Sequence, residues 1–412
     1  MIPAIVPRSE HPISRKMMTE EALKVLYRLY RHGFIAYLVG GSVRDLILGR
    51  APKDFDVATN ARPHEISALF RNSRIIGRRF RLVQVFFKGG QVVEVSTFRS
   101  RSEFEEIRTD DGEIIHADSF GTPAEDAFRR DITINGLFYN IADFSIIDYV
   151  GGMDDLKRRI IRTIGDPNER FQQDPVRMIR VIRHAARTGF SIEKETYQAI
   201  IRHREKIKKC SASRLRDEFL RDLKEGAAQP SLKLMLETGL LLSLFPDLER
   251  CFGDRSLSRE KDQRFLLSIF ALVDQLVSIG KSLPEPVLLT LFLTPLLRAI
   301  MPEHPFLGER ERTIYLNQTI NLILHQVLTP FSVPRGVKET AFQILIAQSY
   351  LRKAVQRGFF PKRMRMKRYF PEAVLHFGIE AEARGERVPP LIRHLVPSGL
   401  LPWWPRKLKK GV

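Results

Sequence analysis

Apolar and polar residues alternate differently in two parts of the chain. Up to about residue 165, short apolar runs of strand length are separated by short amphipathic or polar segments. One such run, FIAYLV (34–39), follows a helix-like segment, TEEALKVLYRLYRHG (19–33), which has an N-cap candidate at Thr19 and a helix stop at Gly33. From about residue 166 onward, apolar residues recur at helical spacing almost throughout. The pattern predicts an α/β head followed by an all-helical body.

Within the predicted head, two apolar runs, RLVQVFF (81–87) and QVVEVSTF (91–98), are separated by KGG, which favours a hairpin. Residues 99–122 are polar and charged without a period, so they are predicted to form a mobile loop. The total length of 412 residues allows two or three domains. The predicted regions are a flexible N-terminus (1–18), the head (19–165), a helical neck (166–250), and a helical body with a basic C-terminal region (251–412).

Positive charge dominates the composition. The chain has 67 Lys and Arg residues against 48 Asp and Glu residues, which gives a formal net charge of +19. Such a field attracts polyanions and gives a salt-dependent affinity that needs no particular base sequence. Nucleic acid is therefore the predicted partner.

The two cysteines, Cys210 and Cys251, have neither CxxC spacing nor a neighbouring His cluster. A zinc site or a disulfide framework is therefore not expected, and a reducing cytoplasm fits the composition. The N-terminal residues lack the apolar core of a signal peptide. The most apolar stretch, PVLLTLFLTPLLRAI (286–300), is too short to span a bilayer and contains Pro295, so we expect a buried helix pair and no membrane insertion.

Acidic residues in strand-like segments are the candidate catalytic groups. In PKDFDVATN (52–60), a single aromatic separates Asp54 from Asp56, and residues i and i+2 of a strand project from the same face. Two carboxylates placed in this way either raise a pKa or hold a divalent cation such as Mg²⁺. Glu94, inside the apolar run VVEVSTF, is either a third buried acid that needs a metal or another partner, or a residue on the wet face of an edge strand.

A glycine pair stands between the first strand-like run and these aspartates. Gly40, Gly41 and Ser42 directly follow the apolar run and precede a short helical stretch. Backbone amides in such a turn approach an anion closely, and a hydroxyl adds one more donor. The arrangement is suited to holding a triphosphate.

Together, these residues resemble the signature of the nucleotidyltransferase superfamily that includes DNA polymerase β. The segment LVGGSVRDLILGRAPKDFDVAT (38–59) is similar to the first motif of the class II family of bacterial poly(A) polymerases and tRNA CCA-adding enzymes. The family's later motifs follow in order as RRDITIN (129–135), GGMDDL (151–156), DPVRMIRVIR (174–183) and ASRLRDEF (212–219). This resemblance covers about residues 20–250 and implies a polymerase β-like head with a mixed sheet and helices.

The resemblance also implies roles for individual residues. Asp54, Asp56 and Glu94 would hold two Mg²⁺ ions, one at the primer 3′-hydroxyl and one at the triphosphate of ATP. Asp131 would count among the essential carboxylates, although a helix-starting Asp paired with Arg129 or Arg130 would give the same pattern. The implied contacts to the nucleotide are at Gly40, Gly41, Ser42, Arg44, Arg130 and Asn135.

Base recognition is implied at the start of the neck. Asp174, Arg177 and Arg180 are spaced i, i+3 and i+6, near one face of a helix, which is also the spacing of ordinary surface salt bridges. The resemblance makes Asp174 and Arg177 a protein template that pairs with the edge of the incoming base, with Arg180 beside them. The family commonly has Glu before this Asp, whereas this chain has Gln173, so one charge of the expected site is missing.

Two basic segments bear on the choice of RNA. The GRRFRL segment within 74–85 is similar to one that marks the poly(A) polymerases of this class, and its arginines either grip phosphates or form a basic strand edge. Near the C-terminus, Trp403 and Trp404 either stack on bases or pack the last helix into the body. The predicted RNA-binding residues are Arg78, Arg79, Arg81, Lys362, Arg363, Arg365, Lys367 and Arg368.

The sequence is therefore interpreted as a template-independent poly(A) polymerase that uses ATP and Mg²⁺ to extend RNA 3′ ends, with single-stranded RNA as the expected partner. One alternative is a tRNA nucleotidyltransferase that adds CCA or the terminal A. An RNA-binding protein with an inactive head is disfavoured by the three acids, and a phosphohydrolase by the lack of an HD-type His/Asp pair in the sequence. The pattern predicts no particular oligomeric state.

Overall fold

The computed structural model describes residues 2–77, 81–100, 105–108, 114–117, 120–249, 257–300, 309–328 and 331–393. The chain divides into two compact units, one formed by Met1–Arg170 with Phe190–Thr196 and the other by Phe171–Gly189 with Tyr197–Val412. The first unit contains a mixed β-sheet with helices, and the second is built mainly from helices. The predicted α/β head and helical body are confirmed.

An eight-stranded sheet organises the first unit. Its strands are β1 (Ala4–Val6), β2 (Ala36–Val39), β3 (Asp56–Thr59), β4 (Ser73–Ile76), β5 (Leu82–Phe86), β6 (Val92–Thr97), β9 (Leu137–Asn140) and β10 (Ile146–Asp148). The spatial order is β1-β10-β9-β2-β3-β6-β5-β4. The β3–β6 pair is parallel, and the other neighbouring pairs are antiparallel. The predicted hairpin around KGG is confirmed, because β5 and β6 pair as antiparallel neighbours.

Helices and two small sheets complete the first unit. The helices are α1 (Glu20–Arg31), α2 (Gly41–Ile47), α3 (Pro63–Leu69), α4 (Pro123–Arg129) and α5 (Gly152–Arg158). The small sheets pair β7 (Glu105–Arg108) with β8 (Ile114–Ala117), and β11 (Ile160–Ile161) with β12 (Ser191–Ile192). The backbone N–H of Ala22 donates to Thr19 Oγ1 at 3.3 Å, so the predicted N-cap of α1 is confirmed. Val39, Ala58, Phe98 and Phe138 are buried in one hydrophobic cluster of the sheet.

The remaining helices follow in chain order. They are α6 (Pro167–Gln173), α7 (Arg177–Thr188), α8 (Lys194–His203), α9 (Ala212–Lys224), α10 (Ala228–Glu237), α11 (Leu240–Leu244), α12 (Leu257–Ser278), α13 (Glu285–Ile300), α14 (Glu309–Leu328), α15 (Arg335–Arg357), α16 (Lys362–Arg365), α17 (Phe370–Ala383) and α18 (Pro390–Arg393). Aromatic rings join several of them: Phe245 stacks on Phe331 with the ring centroids 4.5 Å apart, and Phe219 packs edge-on against Phe292 at 5.0 Å. None of the helices in the described ranges has the length and apolar character needed to cross a membrane.

The structure corrects three local predictions. The N-terminal lead-in is not flexible throughout, because β1 pairs with β10 and Nε2 of the buried His11 donates to the carbonyl oxygen of Phe144 at 2.8 Å. The polar stretch 99–122 contains the β7–β8 pair rather than a loop alone. The stretch around Pro295 forms the single helix α13 and not a helix pair.

Burial explains why α13 tolerates an internal proline. Leu288, Leu291, Phe292 and Leu296 are completely buried. Each such side chain contributes about 1.5–3 kcal/mol on burial, whereas a proline inside a helix costs about 3 kcal/mol. The tertiary contacts of the helix therefore outweigh the local preference that suggested a break.

Candidate active site

The two aspartates lie at the start of a central strand. Asp56 is the first residue of β3, which has β2 on one side and β6 on the other. Asp54 precedes the strand and is exposed, and the intervening Phe55 is only 7% exposed. Because Asp54 and Phe55 precede β3, strand alternation does not relate the two carboxylates, and the predicted placement of both aspartates within one strand is wrong.

The surroundings of Asp56 disfavour its negative charge. Burial raises the pKa of Asp56 to about 6, and the nearby charges of Asp54 and Glu94 act in the same direction, while Arg130 opposes them. A divalent cation would relieve this repulsion, and carboxylates supplemented by substrate phosphates are the ligands that Mg²⁺ accepts. Asp54 and Asp56 therefore fit a Mg²⁺ ion.

Glu94 lies on β6 directly beside Asp56 in the parallel strand pair. Since β6 lies between β3 and β5, the reading of Glu94 as an edge-strand residue is wrong. The Nε2 group of Gln84 donates to Oε1 of Glu94 at 3.0 Å. Across the described ranges, His, Cys, Asp and Glu side chains form no group of three or more in a position to hold a metal ion. A three-carboxylate site that includes Glu94 thus stays a prediction.

The glycine turn approaches the aspartates closely. Gly40 has a φ of +73°, in the left-handed region that favours glycine. A Cβ atom added there would lie 3.3 Å from Nη1 of Arg130 and 3.9 Å from Oδ2 of Asp56. The turn, the guanidinium and the carboxylate therefore converge. Gly41, the first residue of α2, is close to Arg44 instead.

Two predicted nucleotide contacts are turned into the protein. Ser42 is 2% exposed, and its hydroxyl donates to the carbonyl oxygen of Val39 at 2.8 Å. Arg44 is 3% exposed and donates to the side chains of Asp45 and Asn135 at 2.8 and 2.9 Å. The Ser42 hydroxyl stabilises the turn and Arg44 positions Asn135, so direct nucleotide contacts by these two side chains stay predictions.

Arg130 is held by an acid that the sequence reading missed. Nε and Nη2 of Arg130 donate to Oδ2 of Asp126 at 3.2 and 2.9 Å, and the guanidinium lies over the ring of Phe138. The spacing of Asp126 four residues before Arg130 in AEDAFRR was the available signal. Asp131 follows α4 and does not begin a helix, so the alternative of a helix-starting residue is wrong.

The GGMDDL motif supports the turn that carries Asn135. The hydroxyl of Thr133 donates to Oδ2 of Asp155 at 2.7 Å, and Nε of Arg162 donates to the same oxygen at 3.0 Å. A Cβ atom on Gly152 would lie 2.3 Å from the carbonyl oxygen of Thr133, so only glycine fits there. Asp155 is therefore a positioning residue that sequence reasoning did not single out.

In the helical unit, the predicted template residues lie near the start of α7. Asp174 precedes this helix and Arg177 is its first residue, so they do not share a helical face as predicted. Nη2 of Arg214 donates to Oδ2 of Asp174 at 2.6 Å, a contact the sequence did not indicate. Arg180 donates to Oε1 of Glu218 at 2.6 and 2.8 Å, and its nucleotide contact stays a prediction.

The predicted RNA-binding residues are only partly described. Arg78, Arg79, Trp403 and Trp404 lie outside the described residues, whereas Arg81 is exposed just before β5. All five cations of the basic segment around α16 are exposed to solvent. They are Lys362, Arg363, Arg365, Lys367 and Arg368.

Two regions of the chain match family models of poly(A) polymerase. The model described as "Poly A polymerase head domain" matches residues 36–162, and the one described as "Probable RNA and SrmB- binding site of polymerase A" matches residues 189–252. Poly(A) polymerase I of Escherichia coli O157:H7 is 46% identical over 268 residues, which are 63% of this chain and 57% of that protein. The CCA-adding enzyme of Geobacillus sp. WCH70 is 40% identical over 225 residues, 55% of this chain and 54% of that protein. The chain thus spans less than two thirds of the length of these relatives.

Solved structures agree on the fold. The CCA-adding enzyme of Bacillus stearothermophilus in complex with CTP has a TM-score of 0.65 at 25% identity, covering 94% of this chain and 83% of that one. The Thermotoga maritima CCA-adding enzyme complexed with tRNA has a TM-score of 0.59 at 20% identity, covering 99% of this chain and 88% of that one. These matches and the ordered motifs make the chain similar to the class II nucleotidyltransferase family of bacterial poly(A) polymerases and tRNA CCA-adding enzymes, and they identify a nucleotidyltransferase.

Proposed function

We propose that this protein is a template-independent poly(A) polymerase that transfers AMP from ATP to RNA 3′ ends and releases pyrophosphate. The observation that carries the proposal is the degree of similarity to the two branches of the family. Identity to poly(A) polymerase I reaches 46–47% over more than 260 residues, whereas identity to CCA-adding enzymes is 37–40% over shorter stretches.

The head would bind the triphosphate with residues that the geometry brings together. Asp54 and Asp56 would hold one Mg²⁺ ion. Together with Glu94 they would hold a second one. When bound, Mg²⁺ supplies charge neutralisation at the triphosphate and lowers the pKa of the attacking hydroxyl. The Gly40 turn and Arg130 would orient the phosphates for in-line attack by the RNA 3′-hydroxyl on the α-phosphorus, with pyrophosphate leaving. No side-chain nucleophile is required.

RNA and base would be bound by the other unit. The exposed cations around α16 suit a phosphate backbone and would bind RNA without sequence preference, and single-stranded RNA is the substrate that we propose. Asp174 and Arg177 would pair with the edge of the incoming adenine, which offers an amino donor and a ring-nitrogen acceptor. Asp131 and Asn135 remain proposed nucleotide-site residues.

The proposal is tested with each nucleoside triphosphate supplied separately. Purified protein and Mg²⁺ are incubated with unstructured RNA, with tRNA lacking CCA, and with tRNA ending in CC. We expect long tails on the unstructured RNA with ATP alone. Absence of such tails, together with any addition confined to tRNA, would overturn the proposal.

A tRNA nucleotidyltransferase is the second candidate. It is favoured by the likeness of the fold to solved CCA-adding enzymes. This function predicts incorporation that stops after CCA on the truncated tRNA, or after one A on tRNA ending in CC. The same assay therefore separates the two candidates.

A further inference from the structure

An open groove runs along helix α1 in the first unit. Its volume is about 660 Å³, and it is lined by one side of α1, by His32 after the helix, and by the rings of Phe70 and Phe87. The α1 residues that line it are at positions 20, 23, 24, 27, 28 and 31, which is the spacing of a single helix face. The buried apolar residues of α1 are at other positions, so this is a second face of the helix.

Positive charge prevails in the groove. Its ionisable groups besides tyrosine are Glu20, Lys24, Arg28, Arg31 and His32. Glu20 and Lys24 form an ion pair at 3.1 Å, so their charges offset each other. Within the described ranges, no carboxylate forms an ion pair with either arginine. Two guanidinium groups without a neutralising acid therefore attract an anion to the groove.

Aromatic rings hold these two guanidinium groups in place. Arg28 lies over the ring of Phe70, 5.3 Å from its centroid, and Arg31 lies over the ring of Tyr27 at 5.8 Å. The face of a ring positions a guanidinium without accepting its planar fork of N–H donors, which stay available to phosphate oxygens. Tyr27 and Phe87 are only half-buried, so part of each ring is accessible to a ligand.

We propose that the α1 groove is an RNA-binding site of the head, which holds single-stranded RNA upstream of the reacting 3′ end. This site rests on the function proposed above. Arg28 and Arg31 bind two phosphates, and a base stacks on the accessible part of Tyr27 or Phe87. Each residue of an RNA chain offers both an anion and a π face, whereas an acidic peptide offers the anion alone. The combination of arginines and rings therefore favours RNA.

The test compares the full chain with a double variant that combines Arg28→Gln and Arg31→Gln. Fluorescence anisotropy is measured with unstructured RNA oligonucleotides of increasing length at several salt concentrations. For long RNA, we expect the dissociation constant to rise by about tenfold and the slope of log K against log salt to shrink by about 1.4, twice the value for one phosphate contact on a single strand. The shortest oligonucleotides should bind both proteins equally, because they occupy the 3′-end site alone. The kcat and the KM for ATP at saturating RNA should stay unchanged.

Lysine replacements separate charge from planar stacking. Arg28→Lys combined with Arg31→Lys should keep the salt slope and lose part of the affinity, because lysine is a point charge without a planar group. Lys157→Gln combined with Arg158→Gln removes two exposed cations from α5 of the same unit and should leave the affinity for long RNA unchanged. Ultraviolet cross-linking of bromouridine-substituted RNA to the wild type should label the peptide that contains Tyr27 or Phe87.

Three results would overturn the inference. The first is equal affinity of the wild type and the Arg28→Gln, Arg31→Gln variant for long RNA. The second is an equal loss of affinity in the α5 double variant, since RNA binding would then respond to net charge alone. The third is competition by polyglutamate that matches competition by RNA of the same charge, which would make the groove a site for acidic chains.

The outcomes also distinguish this inference from the proposed function. A wild-type protein that makes no poly(A) tails but binds long RNA through Arg28 and Arg31 leaves the inference standing and removes the proposed function. Tails made by the wild type and by the double variant with equal KM for long RNA would remove the inference alone. A wild-type protein that binds no RNA would remove both.

Discussion

Buried acids occur in both units, in opposite electrostatic surroundings. In the head, burial and the charges of Asp54 and Glu94 raise the pKa of Asp56 to about 6. In the helical unit, burial also acts to raise the pKa of Glu218, but the charges of Arg183 and Arg180 outweigh it and hold the pKa below its usual value. Glu218, matched by two arginines, joins α9 to α7, whereas Asp56, set beside other acids, is where a bound cation would lower the repulsion.

The largest effect should come from removing a head acid. Asp56→Asn is expected to reduce AMP transfer by about a thousandfold or more, since several kcal/mol of charge stabilisation in the transition state would be lost. RNA affinity and thermal stability should stay near wild type, because the change also relieves repulsion. The check is single-turnover AMP incorporation beside a gel-shift titration. Asp154→Asn, an exposed acid of the same unit, is the control; wild-type-like turnover of Asp56→Asn would contradict the metal assignment.

The converse change removes an acid that arginines neutralise. Glu218→Gln is expected to lower the free energy of unfolding by about 1.5–3 kcal/mol, because Arg180 and Arg183 lose their shared carboxylate while Arg183 keeps Asp222. Denaturant titration of the full chain measures this change. Asp217→Asn, whose side chain is 74% exposed, provides a neighbouring control. If the Glu218→Gln variant has the same free energy of unfolding as the wild type, Glu218 does not stabilise the helical unit and the comparison with Asp56 fails.

A smaller effect is expected from the metal itself. Mg²⁺ at ten times its dissociation constant should raise the free energy of unfolding by about 1.4 kcal/mol, provided that it binds the folded head alone. Differential scanning calorimetry with and without Mg²⁺ detects this as a shift in Tm. Asp56→Asn should abolish the shift, and Glu218→Gln should retain it. An equal shift in the Asp56→Asn variant would place the ion elsewhere.

The smallest effect concerns a single exposed cation. Arg363→Gln should weaken RNA binding about equally for all sequences and reduce the slope of log K against log salt by about 0.7, the value for one phosphate contact on a single strand. Fluorescence anisotropy at several salt concentrations measures the slope. Arg335→Gln, an exposed arginine paired with Glu339, serves as the control. An unchanged slope for Arg363→Gln would exclude the α16 segment from the RNA interface.

The sequence was sufficient for the fold class and for one hairpin of the head, whereas the roles of Asp54 and Asp56 stay predictions. Strand-length apolar runs and the KGG signal are local features, so the β5–β6 hairpin followed directly from them. The partners of charged side chains did not follow, because they are distant in sequence. Arg180 pairs with Glu218, 38 residues away, and Arg44 with Asn135, 91 residues away. Only the folded structure shows which arginines form hydrogen bonds or ion pairs within the protein.

The N-terminal strand has a consequence for the behaviour of the protein in solution. β1 is three residues long, yet it lies along the outer side of β10 and takes up that strand's hydrogen-bonding groups. β1 is then the edge strand itself, and an exposed edge is a template on which another molecule can add a strand. Because β1 has only three residues, it offers few backbone groups for such pairing, which limits edge-to-edge association of the head.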